Sequence, residues 1–181
     1  CVQLSHDWID KYEDRIPKTL PVKLIADSEN EEFEATPEPN LIQLQALTAL
    51  HETRANGYQR GLVVMATGTG KTWLSAFDAQ QISAKRILFV AHREEILDQA
   101  EKTFNKMFPN RRIGRYSGTS KEKNVDLLFA SIQTLGKKQH LQVFLPDDFD
   151  YIVIDEFHHA SANSYQKLLS YFTPHFMLGL T

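Results

Sequence analysis

The chain has a single cysteine, at position 1 of 181 residues. One thiol excludes an internal disulfide and a cysteine-rich zinc site. No apolar run approaches the roughly 20 residues that a membrane-spanning helix needs. No basic start with an apolar centre marks a secretory leader, so the cytosol is the default compartment. Internal repeats and low-complexity tracts are missing as well. What remains is 42% hydrophobic and 24% charged, the balance of a globular protein, with enough length for one domain and a proper core. The chain starts on Cys1 rather than Met and stops on Thr181 directly after an apolar segment, as a piece of a longer protein would.

The net charge of −3 conceals an asymmetry. Residues 1–40 carry 10 acidic and 4 basic side chains, and residues 41–181 carry 13 and 16. The basic surplus concentrates in 101–123, where Lys102, Lys106, Arg111, Arg112, Arg115, Lys121 and Lys123 face only Glu101 and Glu122. Such a stretch either meets a phosphate backbone or forms a solvated helix end and loop. The first segment lacks periodicity and has prolines at 17, 21, 37 and 39. It reads as an acidic connecting arm over 1–38, ahead of a domain over 39–181.

From Asn40 the pattern changes. Leu41, Leu44, Leu47 and Leu50 recur at helical spacing, with Asn40 as N-cap and Gly57 as C-cap. Short apolar runs then alternate with helical stretches. Strands are expected at 61–65, 86–91, 112–116, 125–130, 151–155 and 176–180, and helices at 71–82, 93–107, 132–135, 138–144 and 162–171. Strands that are apolar throughout and joined by helices indicate an α/β fold, a mainly parallel sheet with helices on both faces.

Two segments carry chemistry. Met65-Ala66-Thr67-Gly68-Thr69-Gly70-Lys71-Thr72 lies between a strand and a helix start. Glycines there let backbone N–H groups of Thr67, Gly68, Thr69, Gly70 and Lys71 turn toward phosphate oxygens, and the helix N-terminus adds partial positive charge. Lys71 can reach the β and γ phosphates and the Thr72 hydroxyl can ligate Mg²⁺. The common phosphate-loop pattern has a glycine where this chain has Met65. The second segment, Tyr151-Ile152-Val153-Ile154-Asp155-Glu156, puts two acids at the carboxyl end of a buried strand, where open parallel sheets bind ligands. Asp155 is suited to hold Mg²⁺ and Glu156 to orient or deprotonate water. The adjacent His158 and His159 point in different directions and lack further ligands at metal spacing. One suits a polar link to neighbouring structure, the other a structural role.

Taken in order, these segments resemble motifs I and II of superfamily two helicases and translocases. Pro39 to Gln45 resembles the adenine-reading motif, with Gln45 in the base-contacting position and Ile42 and Leu44 where the family usually has an arginine and an aromatic. Phe89 to Ala100 resembles motif Ia, Ala130 to Leu135 a later strand-contacting motif, and Leu178 to Thr181 the start of motif III. The Asp-Glu-Phe-His-His and His-Arg-Glu-Glu forms look closest to type I and type III restriction-enzyme and bacterial DNA-repair-like helicases.

The resemblance implies a RecA-like P-loop NTPase domain, the first motor domain of a DNA helicase or translocase. It implies ATP and Mg²⁺ as cofactors, and nucleic acid as partner, with DNA favoured over RNA. Backbone contacts fall on Arg93, Ser131, Gln133 and Thr134, with helix capping as the plainer alternative for Ser131, Gln133 and Thr134. The resemblance further implies a second RecA-like domain supplying arginines, so this piece alone would bind ATP with little turnover. Two rivals stand beside the helicase reading. One is a restriction motor subunit that translocates without separating strands. The other is an ATP-regulated clamp, for which a water-activating Glu156 would be superfluous.

Overall fold

The computed structural model describes residues 37–66, 68–157 and 163–181. Most of the acidic arm, Thr67, His158 and His159 therefore lie outside the described residues. A helix α1 (Leu41–Ala55) leads into strand β1 (Arg60–Val63). There follow α2 (Lys71–Gln81), β2 (Ile87–Ala91), α3 (Glu94–Met107) and β3 (Ile113–Ser117). A two-residue β4 (Ser120–Lys121) precedes β5 (Leu127–Ser131), α4 (Ile132–Leu135) and α5 (Lys138–Leu141). The described chain closes with β6 (Tyr151–Ile154), α6 (Asn163–Tyr171) and β7 (Phe176–Leu180).

The seven strands form one sheet in the order β1-β7-β6-β2-β5-β3-β4. Every pairing is parallel except the β3–β4 hairpin, which the sequence reading did not anticipate. Two residues are too few to show a period, and β4 forms only because the Gly118 turn folds it back on Ser117. Strands β2, β5, β6 and β7 are buried at every position, as their continuous apolar runs foretell. At the sheet edge, β1 alternates instead and leaves Leu62 exposed.

Successive side chains on these strands point to opposite faces and create two cores. Phe89, Phe129, Val153 and Leu178 pack under α1, α2 and α3. Val90, Ala130, Ile152 and Met177 pack under α4, α5 and α6 together with Phe144, Phe149 and Phe172.

A buried polar network fastens the first of these layers. Asp78 on α2 is fully buried and accepts two hydrogen bonds from Arg54 of α1, at 2.9 and 2.8 Å. The Tyr151 hydroxyl, at the start of β6, donates a third at 2.7 Å. Burial, followed by the Asp78 charge, pushes the Tyr151 phenol well above its ordinary range. Arg54 also stacks over the Phe176 ring at 4.8 Å. Two helices and β6 thus meet on one carboxylate, and β7 touches its arginine partner.

Candidate functional site

The site assembles at the carboxyl ends of β1, β7 and β6. Val63 aligns with Leu180 and Ile154 with Gly179, so the loop after β1 and the acids after β6 emerge at one level on either side of β7. Thr181 extends the pairing: its N–H donates to Val63 at 3.1 Å and its carbonyl accepts from Met65 at 2.9 Å.

The loop turns on two glycines with left-handed backbone, Gly68 (φ 80°) and Gly70 (φ 82°). Thr69 braces it, its hydroxyl donating to the Ala66 carbonyl at 2.6 Å. Gly70 precedes α2, so Lys71 and Thr72 occupy the first turn with the helix's unpaired N–H groups. The Lys71 ammonium donates to the Met65 carbonyl at 3.3 Å, spanning its own loop.

Gln45 does not reach this loop. It is exposed on α1, and Gln43, two positions earlier and roughly 200° around the helix, is the buried one. The Gln43 amide nitrogen donates to the Gly70 carbonyl at 3.0 Å, and its oxygen accepts the Asn40 N–H at 2.8 Å. Asn40 returns a bond from its side chain to the Gln43 N–H, completing a capping box. A Cβ on Gly70 would come within 2.6 Å of the Gln43 amide nitrogen, so a side chain there would shift this amide besides straining the backbone. The Asn-x-x-Gln spacing was the signal that distinguishes Gln43 from Gln45. Gln43 and the Gly68–Gly70 loop line a cleft of about 270 Å³ with Pro37, Glu38, Asn40, Trp73 and Phe77.

Asp155 is buried at the end of β6, its N–H bonded to the Val90 carbonyl. Glu156 follows with φ 54°, a left-handed conformation unusual outside glycine, and donates its N–H to Asp155 Oδ1 at 3.0 Å. Phe157 then packs against Gly179 of β7, where an added Cβ would lie 2.8 Å from the ring. The ring seat at Gly179 holds the strained residue in place, which the sequence reading did not foresee.

The donors suit a magnesium–triphosphate pair. Mg²⁺ keeps several waters and takes one or two protein oxygens with the rest from phosphate. The described residues offer the Thr72 hydroxyl and the Asp155 carboxylate and contain no cluster of three or more His, Cys, Asp or Glu that would hold a metal unaided.

The strand-contact candidates occupy the next strand ends. Ala91 pairs with Ser131 across β2 and β5, bringing Arg93 and the Ser131–Thr134 turn together. Ser131 is the N-cap of α4: its hydroxyl accepts the Thr134 N–H at 3.4 Å and donates to the Thr134 hydroxyl at 3.1 Å. Gln133 donates to the His92 carbonyl at 2.6 Å. Capping thus engages Ser131 and Thr134, while Arg93 stands exposed at the start of α3.

Much of the basic surplus over 101–123 is consumed internally. Arg115 meets Glu94, Asp98 and Glu101 of α3, Arg112 pairs with Asp126 at 2.9 Å, and Arg111 binds the Ala84 carbonyl. None of these three arginines is left to form an open phosphate-binding stripe.

A profile of the family described as "Type III restriction enzyme, res subunit" matches residues 36–181. The chain belongs to this family. Relatives of this res-subunit domain include the type I restriction enzyme EcoAI endonuclease subunit of Escherichia coli, 36% identical over 79% of this chain and 19% of its own length. The putative ATP-dependent helicase IRC3 of Saccharomyces cerevisiae is 32% identical over 72% of this chain and 20% of its own length. Among solved structures, the SWI2/SNF2 ATPase core of Sulfolobus solfataricus in complex with double-stranded DNA superposes with a TM-score of 0.64 at 17% identity. That match covers 84% of this chain and 33% of the other, and supports a RecA-like fold. The chain spans about a fifth of the length of the two relatives named. Among the described residues, no helix is long and apolar enough to cross a membrane.

Proposed function

We propose that this domain binds ATP and hydrolyses it as the first half of a DNA helicase or translocase motor. The observation that carries the reading is the level placement of the Gly68–Thr72 loop and the Asp155–Glu156 pair on either side of β7. The backbone N–H groups of 68–71 and the α2 N-terminus bind phosphate oxygens. Thr67 completes the loop in sequence. Lys71 releases the Met65 carbonyl and turns to the β and γ phosphates, so part of its interaction free energy replaces a bond already present. Gln45, exposed on α1, keeps the base-reading role that the resemblance gives it, and Gln43, lining the cleft of Trp73 and Phe77, braces the loop beside it through Gly70. Glu156 orients a water and accepts its proton.

Thr72 and Asp155 would hold Mg²⁺, which when bound neutralises charge on the phosphates. Nucleic acid, DNA rather than RNA in this reading, would cross the carboxyl ends of β2 and β5 at Arg93, with Gln133 and the Ser131–Thr134 cap behind it. A second RecA-like domain would complete the site with arginines, so the present residues alone bind ATP with little turnover. The deciding measurement is the ATPase rate of the full-length protein with single-stranded DNA, duplex DNA, RNA and no nucleic acid. Stimulation by DNA supports the motor reading. ATP binding without hydrolysis under every condition would instead support a clamp.

A further inference from the structure

Helices α1, α2 and α3, which cover one face of the sheet, carry Glu52, Asp78, Glu94, Glu95, Asp98 and Glu101. Helices α4, α5 and α6, which cover the other, carry no acid. The lack reaches beyond the helices. Residues 127–146 and 157–181 hold no aspartate or glutamate, against Lys137, Lys138 and Lys167. All three lysines are exposed, and none enters an ion pair among the described residues. Arg112 and Arg115 find carboxylates within the fold, and these lysines do not.

Two of them flank an apolar opening. Lys138 and Gln142 on one side and Lys167 and Ser170 on the other line a cleft of about 370 Å³ with Leu141 and Tyr171. The polar atoms of that lining are already engaged where they belong to α6. The Tyr171 hydroxyl donates to the Phe144 carbonyl at 2.6 Å, and the Ser170 hydroxyl to the Gln166 carbonyl at 2.8 Å. On either side of Phe144, Val143 is 38% exposed and Leu145 65%. Lysine stems can lie along apolar surface while their ammonium groups stay in water. The cleft therefore offers an apolar seat under two unmatched positive charges, at a size that takes a side-chain anchor.

We propose that the cleft between α5 and α6 docks an acidic segment of a partner protein, with an apolar side chain against Leu141 and Tyr171 and carboxylates on Lys138 and Lys167. Charge complementarity calls for an anionic partner. The apolar lining selects a peptide over a nucleic acid, because phosphates gain nothing from Leu141 and Tyr171, whereas a buried apolar anchor carries much of the affinity of a protein contact. None of the residues assigned above to nucleotide or nucleic acid lines this cleft, so the inference stands apart from the ATPase reading.

The test uses the full-length protein and a panel of short fluorescein-labelled peptides, each with glutamates around a phenylalanine, leucine or tryptophan. Fluorescence anisotropy should show saturable binding within the panel, strongest at low salt and partly retained at physiological salt. The double variant Lys138→Glu with Lys167→Glu is expected to weaken it about tenfold or more. Ser170→Trp, which fills the cleft, should weaken it comparably. Both variants should keep the wild-type Tm and ATPase rate, since neither removes a buried contact or reaches the nucleotide site. Replacing the anchor by serine, with every glutamate kept, should abolish binding. Failure of the whole panel on the wild type overturns the proposal. So does binding that survives Ser170→Trp or ignores the anchor, because a diffuse charge effect needs no cleft. If the charge reversals weaken DNA binding instead, and DNA displaces every peptide, the lysines serve nucleic acid and the proposal is overturned.

Discussion

At the amino edge of the sheet, charged groups are matched one against another. Arg86 pairs with Asp148 at 2.8 Å and stacks over Phe149, while Asp150 accepts the N–H groups of Lys85 and Arg86. Arg112 and Asp126 join β3 to β5, and the Asp78 network gathers at the first residues of β6 and β7. At the carboxyl edge the same sheet carries left-handed backbone at Gly68, Gly70 and Glu156, a lysine bonded only weakly to its own loop, and nearby a Tyr165 hydroxyl without a partner among the described residues. One edge is satisfied and the other is held short of satisfaction. Strain and unmet hydrogen bonds persist only where surrounding structure over-determines them, and here the amino edge and two cores do so.

The contrast has consequences that variants can break. The largest effect is expected for Glu156→Gln in the full-length protein: ATP hydrolysis falls about 10²–10⁴-fold, while nucleotide affinity and Tm stay near wild type. Retained hydrolysis would remove Glu156 from the chemistry. Next comes Asp78→Asn, which breaks a buried ion pair from one side. Such changes typically remove 3–5 kcal/mol of stability, and about 3 is expected because Arg54 keeps partial access to water. Denaturant unfolding measures it; a loss of activity without loss of stability would contradict the division between the edges.

Gly70→Ala stands third. Left-handed backbone for alanine costs roughly 1–2 kcal/mol, and the new Cβ must displace the Gln43 amide. ATP affinity is therefore expected to fall about tenfold or more, read by titration with a fluorescent nucleotide. The smallest effect belongs to Arg112→Gln. Arg112 holds the Asp126 carboxyl below its ordinary value, chiefly by their side-chain hydrogen bond. A depressed carboxyl stabilises the fold above its unfolded value, near 3.8, and that contribution disappears as pH falls through the lower folded value. Wild type should exceed the variant slightly in Tm at neutral pH, and the two should converge in strong acid. A gap that widened in acid would contradict the pairing.

The sequence announces the amino edge poorly and the carboxyl edge well. The phosphate loop and the Asp155–Glu156 pair are local strings, fixed by a few consecutive residues, and the buried strands are uniform apolar runs. The sheet could therefore be read in advance, apart from β4, and so could the position of both strings at strand ends. The fate of Arg111, Arg112 and Arg115 could not be. Their partners lie 14 to 27 positions away along the chain, and only the folded register decides whether a cation meets a carboxylate or open solvent. Gln43 and Gln45 show the same limit at short range. Both are glutamines near a helix start, and a rotation of the helix separates the one that touches the loop from the one that faces water.

Strand β7 contributes no reactive atom, yet it sets the spacing of everything that does. Thr181 is stitched to Met65 and Val63 on one side, and Gly179 seats Phe157 on the other. It works as a gauge block between two halves of a lock. Removing one residue between Tyr171 and Phe176 would slide the strand by one position and exchange its two faces. The loop and the acids would both survive intact, at the wrong height for one another.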